Sequence, residues 1–190
     1  MNTQFFENQV FDKIDFTQSG LPKGDYEDCT FKNCTLESVD LSEIQFTECT
    51  FIECNLALIK CQNTQFQQVK FMNCKLVGVD FSTCDKFLLA FSFEHCVLNL
   101  ASFYELIIPN SKFDNCTIQE ADFRQANLEG AVFAKCDLSR AIFERTNLHK
   151  VNLRTSYNYK FDLDKNDVSE AEIDVAGLIE LVSKYGLNIY

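Results

Sequence analysis

Large apolar residues recur every five positions along most of the chain. One run is Phe11, Phe16, Leu21, Tyr26, Phe31, Leu36, Leu41, Phe46, Phe51, Leu56, Cys61, Phe66, Phe71, Leu76 and Phe81. A second is Phe93, Leu98, Phe103, Ile108, Phe113, Ile118, Phe123, Leu128, Phe133, Leu138, Phe143, Leu148 and Leu153. Two residues before most of them stands a smaller one, such as Cys29, Cys34, Val39, Ile44 and Cys49 early, then Ala121, Ala126, Ala131, Cys136 and Ala141 late. A period of five fits neither a helix nor an ordinary alternating strand. Side chains two apart in an extended segment point the same way. Each unit is therefore a very short strand with two inward side chains, followed by a bend.

The cysteines show how many units close one turn. Cys34, Cys54 and Cys74 are twenty apart, as are Cys96, Cys116 and Cys136. Four units of five make a coil of twenty, so the coil has four sides. From Cys74 to Cys96 the step is 22, and the two runs are out of phase by two. Both facts place a two-residue insertion at Lys86–Phe91. Folded on this period, the sequence gives stacked ladders. One holds Phe31, Phe51, Phe71, Phe93, Phe113 and Phe133. The next holds Leu36, Leu56, Leu76, Leu98, Ile118 and Leu138, with Cys34, Cys54, Cys74, Cys96, Cys116 and Cys136 at its small position. A third runs from Leu41 through Cys61 and Phe81 to Phe143. The fourth runs Phe46, Phe66, an interrupted position, then Ile108, Leu128 and Leu148.

Units such as Glu120-Ala121-Asp122-Phe123-Arg124, Gln125-Ala126-Asn127-Leu128-Glu129 and Lys135-Cys136-Asp137-Leu138-Ser139 resemble the A(D/N)LXX motif of the pentapeptide-repeat family. The resemblance covers about residues 5–158 and repeats 28 times. The first units depart from it, with Gln9, Ile14, Ser19 and Gly24 at the small position. It implies a right-handed, four-sided parallel β-helix of about seven coils. Open strand edges at the ends need covering, and residues 1–10 are one candidate cap.

The repeat stops near Ser156. Asp164–Asp167 reads as a turn and Val168–Ile173 as extended, with the tail spanning 159–190. Asp174 is a plausible N-cap. Ala176, Leu178, Ile179, Leu181, Val182 and Tyr185 then form an apolar face at helical spacing, and Gly186 stands where a C-cap glycine belongs. Leu187 to Tyr190 reads as a last short strand. The tail resembles the C-terminal module of quinolone-resistance and microcin-immunity pentapeptide proteins, which pairs two rods end to end. That resemblance implies a homodimer through Leu178, Leu181, Val182, Tyr185, Leu187, Ile189 and Tyr190.

Catalytic chemistry is hard to find. Neither His95 nor His149 has an obvious nucleophile or paired acid, and no phosphate-cradling glycine loop occurs. The ten Cys lack zinc-site spacing and read as buried structural thiols. No cofactor, metal or small-molecule substrate is expected. The start carries no secretory signal and no apolar run is long enough for a membrane span, so the expectation is a soluble cytosolic protein. A net charge of −11 disfavours direct contact with nucleic acid or anionic membrane.

Two functions remain open. The resemblance implies a DNA-mimicking rod that binds DNA gyrase or topoisomerase IV and protects it from drugs or toxins. The charge is uneven, however. Residues 1–60 carry 11 acids and 4 bases, residues 61–155 carry 10 and 10, and residues 156–190 carry 7 and 3. The alternative is a structural or adaptor module. Outward Leu58, Val77, Val97 and Leu100 on one face, with Phe87 and Leu88 at the insertion, are then the candidate partner surface.

Overall fold

The computed structural model describes residues 4–187. The chain winds into a right-handed parallel β-solenoid of about seven coils with one short C-terminal helix. On the side called face 1, seven short strands form a parallel sheet: β2 (Val10–Asp12), β4 (Thr30–Lys32), β6 (Thr50–Ile52), β8 (Val69–Met72), β9 (Phe91–Glu94), β10 (Lys112–Asp114) and β11 (Val132–Ala134). Face 4, which precedes face 1 in each coil, carries a second parallel sheet of four strands: β1 (Gln4–Glu7), β3 (Gly24–Glu27), β5 (Gln45–Thr47) and β7 (Gln65–Gln67). Faces 2 and 3, centred on the Leu36 and Leu41 ladders, hold single bridges such as Thr35↔Asn55 and Asp40↔Lys60.

Every partner in the first coils lies twenty residues on, as in Phe31↔Phe51 and Phe46↔Phe66. Aromatic rings therefore stack directly. Phe31 and Phe51 centroids are 4.6 Å apart, Phe93 and Phe113 5.2 Å, and Phe113 and Phe133 4.6 Å. Along the Leu36–Leu138 ladder the side chains are fully buried, with the six cysteines beneath them. Each of those thiols reaches back to a carbonyl of the preceding coil, Cys54 Sγ donating to the Phe31 oxygen at 3.3 Å. All ten cysteines are free and buried. Burial pushes the Cys49 thiol up to about 12, which keeps it protonated and unreactive.

The corners explain the outward residues. Ser38 and Glu43 adopt φ of 60° and 63°, and Val39 N donates to the Leu36 oxygen at 3.0 Å. That is the pattern of a type II turn, which needs a left-handed third residue. Most such positions carry Asn, Gly or a long polar side chain. Only three apolar residues occupy them among the described residues, namely Leu58, Leu88 and Leu100.

Register steps to 22 between β8 and β9, where Val69 pairs with Phe91 and Phe71 with Phe93. Upstream, Asp85 N still donates to the Thr64 oxygen, 21 residues back like Lys60 N to the Val39 oxygen. The extra residues thus fall within the segment 86–90. Leu89 and Phe91 turn inward to fill the interrupted face-4 position, while Phe87 and Leu88 point out. The Phe66 and Phe91 rings meet edge to face at 6.5 Å instead of stacking.

Both ends differ from the sequence reading. Gln4–Glu7 pairs with Gly24–Glu27 in the ordinary register. The described part of the expected N-terminal cap is therefore the first rung itself, and residues 1–3 lie outside the described residues. Gly24 is required there, because a Cβ would overlap the Gln4 carbonyl oxygen. At the other end the ladder runs past Ser156, with bridges Asn147↔Asp167 and Asn152↔Glu172. Leu163, Val168, Ala171 and Ile173 pack on the core as an extra lap. A 3₁₀ turn at Leu163–Lys165 supplies its polar corner. Inward apolar residues at the right offsets keep the coil going, although the polar run from Asp162 to Asp167 hides them.

Helix α1 (Val175–Val182) closes this end. Asp174 caps it, its carboxylate accepting from Gly177 N at 2.9 Å and from the Tyr159 hydroxyl at 3.1 Å. A Cβ on Gly177 would overlap that hydroxyl. Gly186, at φ 64°, ends the 3₁₀ turn that follows. Lys184 bridges to Asp162 and Asp164, and the Tyr185 hydroxyl donates to Asp164 at 2.6 Å, so this turn is tied to the last lap.

Candidate protein-interaction faces

Counting charge around the rod rather than along the chain changes its meaning. The register puts Glu7, Asp25, Glu27, Asp28, Glu48, Asp85, Glu129, Asp167 and Glu170 on face 4 or its exit corner. That face holds two lysines. Lys86 Nζ donates to the Glu105 carbonyl at 3.3 Å, and Lys150 lies 3.7 Å from Glu170. Face 1, by contrast, sets Asp12, Glu53, Glu94, Asp114, Glu172 and Asp174 against Lys13, Lys32, Lys70, Lys112, Lys135 and Arg154. Among the described residues, no ion pair within 4.0 Å involves Glu7, Asp25, Glu27, Asp28, Glu48, Asp85, Glu129 or Asp167. Nine carboxylates against two lysines on one surface raise the local negative potential there. Sequence reasoning missed this face because it summed charge by segment. The twenty-residue period already contained the signal.

The apolar candidates split between opposite sides. Leu58, Val97 and Leu100 are exposed on face 2 or its exit corner, Val77 is half-buried, and the Leu58 side chain lies over Gly78, whose Cβ would meet it at 2.8 Å. Phe87 and Leu88, each 64% exposed, lie on face 4. Ile107, also 64% exposed, follows on the next coil of that same face. The proposed partner surface is thus two patches, not one.

At the C-terminal end only Leu181 of the helix is buried. Leu178, Tyr185 and Leu187 are exposed, as is Ile179, while Val182 is half-buried. Ile189 and Tyr190 lie outside the described residues. An open cleft of about 780 Å³ lies between helix and last coil, lined by Arg140, Tyr157, Lys160, Gly177 and Glu180 among others.

His149 has more company than its sequence position suggests. Its Nδ1 lies 2.8 Å from Ser169 Oγ and 3.0 Å from the Ser169 carbonyl, and Ser169 Oγ donates to Asp167 at 2.6 Å. The wiring is reversed from a hydrolase triad, in which the acid orients the histidine and the histidine takes the serine proton. Here the acid holds the serine, and the group sits on an open convex face. His95 Nε2 lies 3.8 Å from Glu94 Oε1. No cluster of three or more possible metal ligands occurs among the described residues. Among them, too, no helix is long and apolar enough to cross a membrane.

A coil of four pentapeptides, read against known proteins, defines a class. The pentapeptide repeat region model matches residues 24–91 and 86–160, and the chain belongs to that family. In three dimensions it is similar to QnrB1, described as a plasmid-mediated fluoroquinolone resistance protein. One trypsin-treated QnrB1 variant superposes with a TM-score of 0.59 at 17% identity, covering 99% of this chain and 98% of that one. A second gives 0.56 at 18%, covering 98% and 92%. At such identities the likeness concerns the fold. No curated protein matches the chain in sequence.

Proposed function

We propose that the chain is a non-catalytic binding rod whose acidic face lies in the DNA-binding groove of a type II topoisomerase, DNA gyrase or topoisomerase IV. The observation that carries this reading is face 4, where nine carboxylates line one side of a rigid rod and both lysines are tied back. A groove built for phosphates is lined by Lys and Arg, and complementary charge speeds and orients docking. The choice of partner draws on the fold shared with a fluoroquinolone resistance protein. Its place of action is the cytoplasm, where the topoisomerase works. Exposed Leu178, Ile179, Tyr185 and Leu187 at the rod's end support a second element, pairing of two rods through the tail. The exposed face-2 leucines favour one other reading, an adaptor that binds an unrelated protein there.

Gyrase supercoiling, with the purified chain titrated in the presence and absence of a fluoroquinolone, tests the partner. The expected result is protection or inhibition at micromolar protein, weakened by added salt and lost in the Glu27→Lys/Asp28→Lys/Glu48→Lys variant. No effect on gyrase or topoisomerase IV would reject the reading in favour of the adaptor. Sedimentation equilibrium tests the pairing. A dimer that becomes monomeric in Leu178→Glu/Ile179→Glu supports it, and a wild-type monomer at tens of micromolar removes it.

A further inference from the structure

Face 4 is not uniformly acidic. Halfway along it the coil steps out by two residues, and Phe87 and Leu88 project from that step. The segment 86–90 divides its apolar side chains between the core and the surface. It buries Leu89 and hands the core position to Phe91, yet leaves Phe87 and Leu88 each 64% exposed. Leu88 also adopts φ 52°, a left-handed conformation that a leucine takes only at a cost. The coil needs a left-handed residue at each corner and fills nearly all of them with Asn, Gly or a polar side chain, so an exposed leucine there adds apolar surface that the turn itself does not call for. Ile107, one coil further on, extends the patch along the rod. Carboxylates flank it on both sides, Glu27, Asp28 and Glu48 toward the N-terminal end, Glu129 and Asp167 toward the other.

We infer that Phe87, Leu88 and Ile107 form an apolar anchor that seats in a greasy depression within a basic protein groove. This rests on the topoisomerase reading and deepens it. Duplex DNA offers phosphate along its whole length and no such projection, so a groove that merely attracts anions leaves the patch solvated. An occupant with Lys or Arg on both sides of an apolar hollow matches face 4 in charge and in shape. The two parts have different jobs. Acids at the rim steer the encounter and carry its salt dependence. A small, central, desolvated apolar cluster holds the complex and sets its lifetime.

The test is binding of the full chain to intact gyrase by surface plasmon resonance at several salt concentrations, with three variants. Phe87→Ser/Leu88→Ser should weaken affinity roughly tenfold or more, through faster dissociation, with the salt slope unchanged. Ile107→Ser should do the same to a smaller degree; it lies on a separate coil and guards against local misfolding of the step. Leu58→Ser/Leu100→Ser, on the opposite face, should bind like the wild type. Unchanged affinity in both the Phe87/Leu88 and the Ile107 variants would overturn the anchor and leave the topoisomerase reading standing. Absence of binding by the wild-type chain would remove that reading and the anchor with it.

Discussion

Face 1 and face 4 are neighbours on the same rod and are built to opposite ends. Face 1 runs unbroken through the insertion. Its rings stay stacked, with Phe51–Phe71, Phe71–Phe93 and Phe93–Phe113 all 5.2 Å apart, and its outward charges balance. On face 4 the aromatic column Phe6, Tyr26, Phe46, Phe66 stacks only as far as the step. Beyond it the inward residues are Ile108, Leu128 and Leu148, and the strands give way to single bridges. Its outside is lopsided in charge and carries the projecting apolar residues. The same backbone rule serves both faces, so the difference lies in what each must do. Face 1 supplies continuity of the core, and face 4 accepts a break in that core to present a surface.

The contrast predicts where the rod is fragile. Phe113 is fully buried between Phe93 and Phe133, its ring parallel to Phe133 within 2°. Phe113→Asp would lose both stacks and leave a carboxylate with no partner in an apolar column. The loss should be about 4 kcal/mol or more, a large share of the stability of a domain this size. Urea unfolding followed by circular dichroism would read it. A soluble variant with an unchanged midpoint would break the claim that face 1 is the structural spine.

Two periods made the fold legible. Five fixed the unit, twenty fixed the four sides, and the offset from Cys74 to Cys96 marked the step between the two phases. The extra lap at 159–173 was less visible, since Asn158 interrupts the unit and polar residues surround Leu163, although Leu163, Val168 and Ile173 resume the spacing of five. The acidic face needed the charges to be folded on the twenty-residue period and not summed by segment. Glu7, Glu27 and Glu48 are neighbours on one surface and mean little when counted in a line. The His149–Ser169–Asp167 cluster was hidden for the same reason, because its partners come from adjacent coils.

Acids on the other faces sharpen the comparison at a smaller scale. Asp137, on face 2, is partly buried, which alone would raise its pKa. Bonds from the Ser139 hydroxyl at 2.6 Å, the Gln119 amide at 2.7 Å and the Asn158 amide at 2.9 Å outweigh that and hold it at about 2. Its contribution is therefore complete above its ordinary value of about 3.9 and is lost as pH falls toward about 2. Asp137→Asn should cost about 1 kcal/mol near neutral pH, after allowing for solvent screening. It should also flatten the fall in melting temperature between pH 4 and pH 2. Face 4 should respond differently. Glu27, Asp28 and Glu48 make no ion pair within 4.0 Å among the described residues. Replacing them with Gln, Asn and Gln should shift stability by less than about 0.5 kcal/mol per site, with any change on the stabilising side as mutual repulsion is relieved. Thermal melts of the triple variant at low and high salt would decide it. A clear destabilisation would make these carboxylates part of the scaffold, whereas neutrality means that folding does not require them and that the surface is the reason they are there.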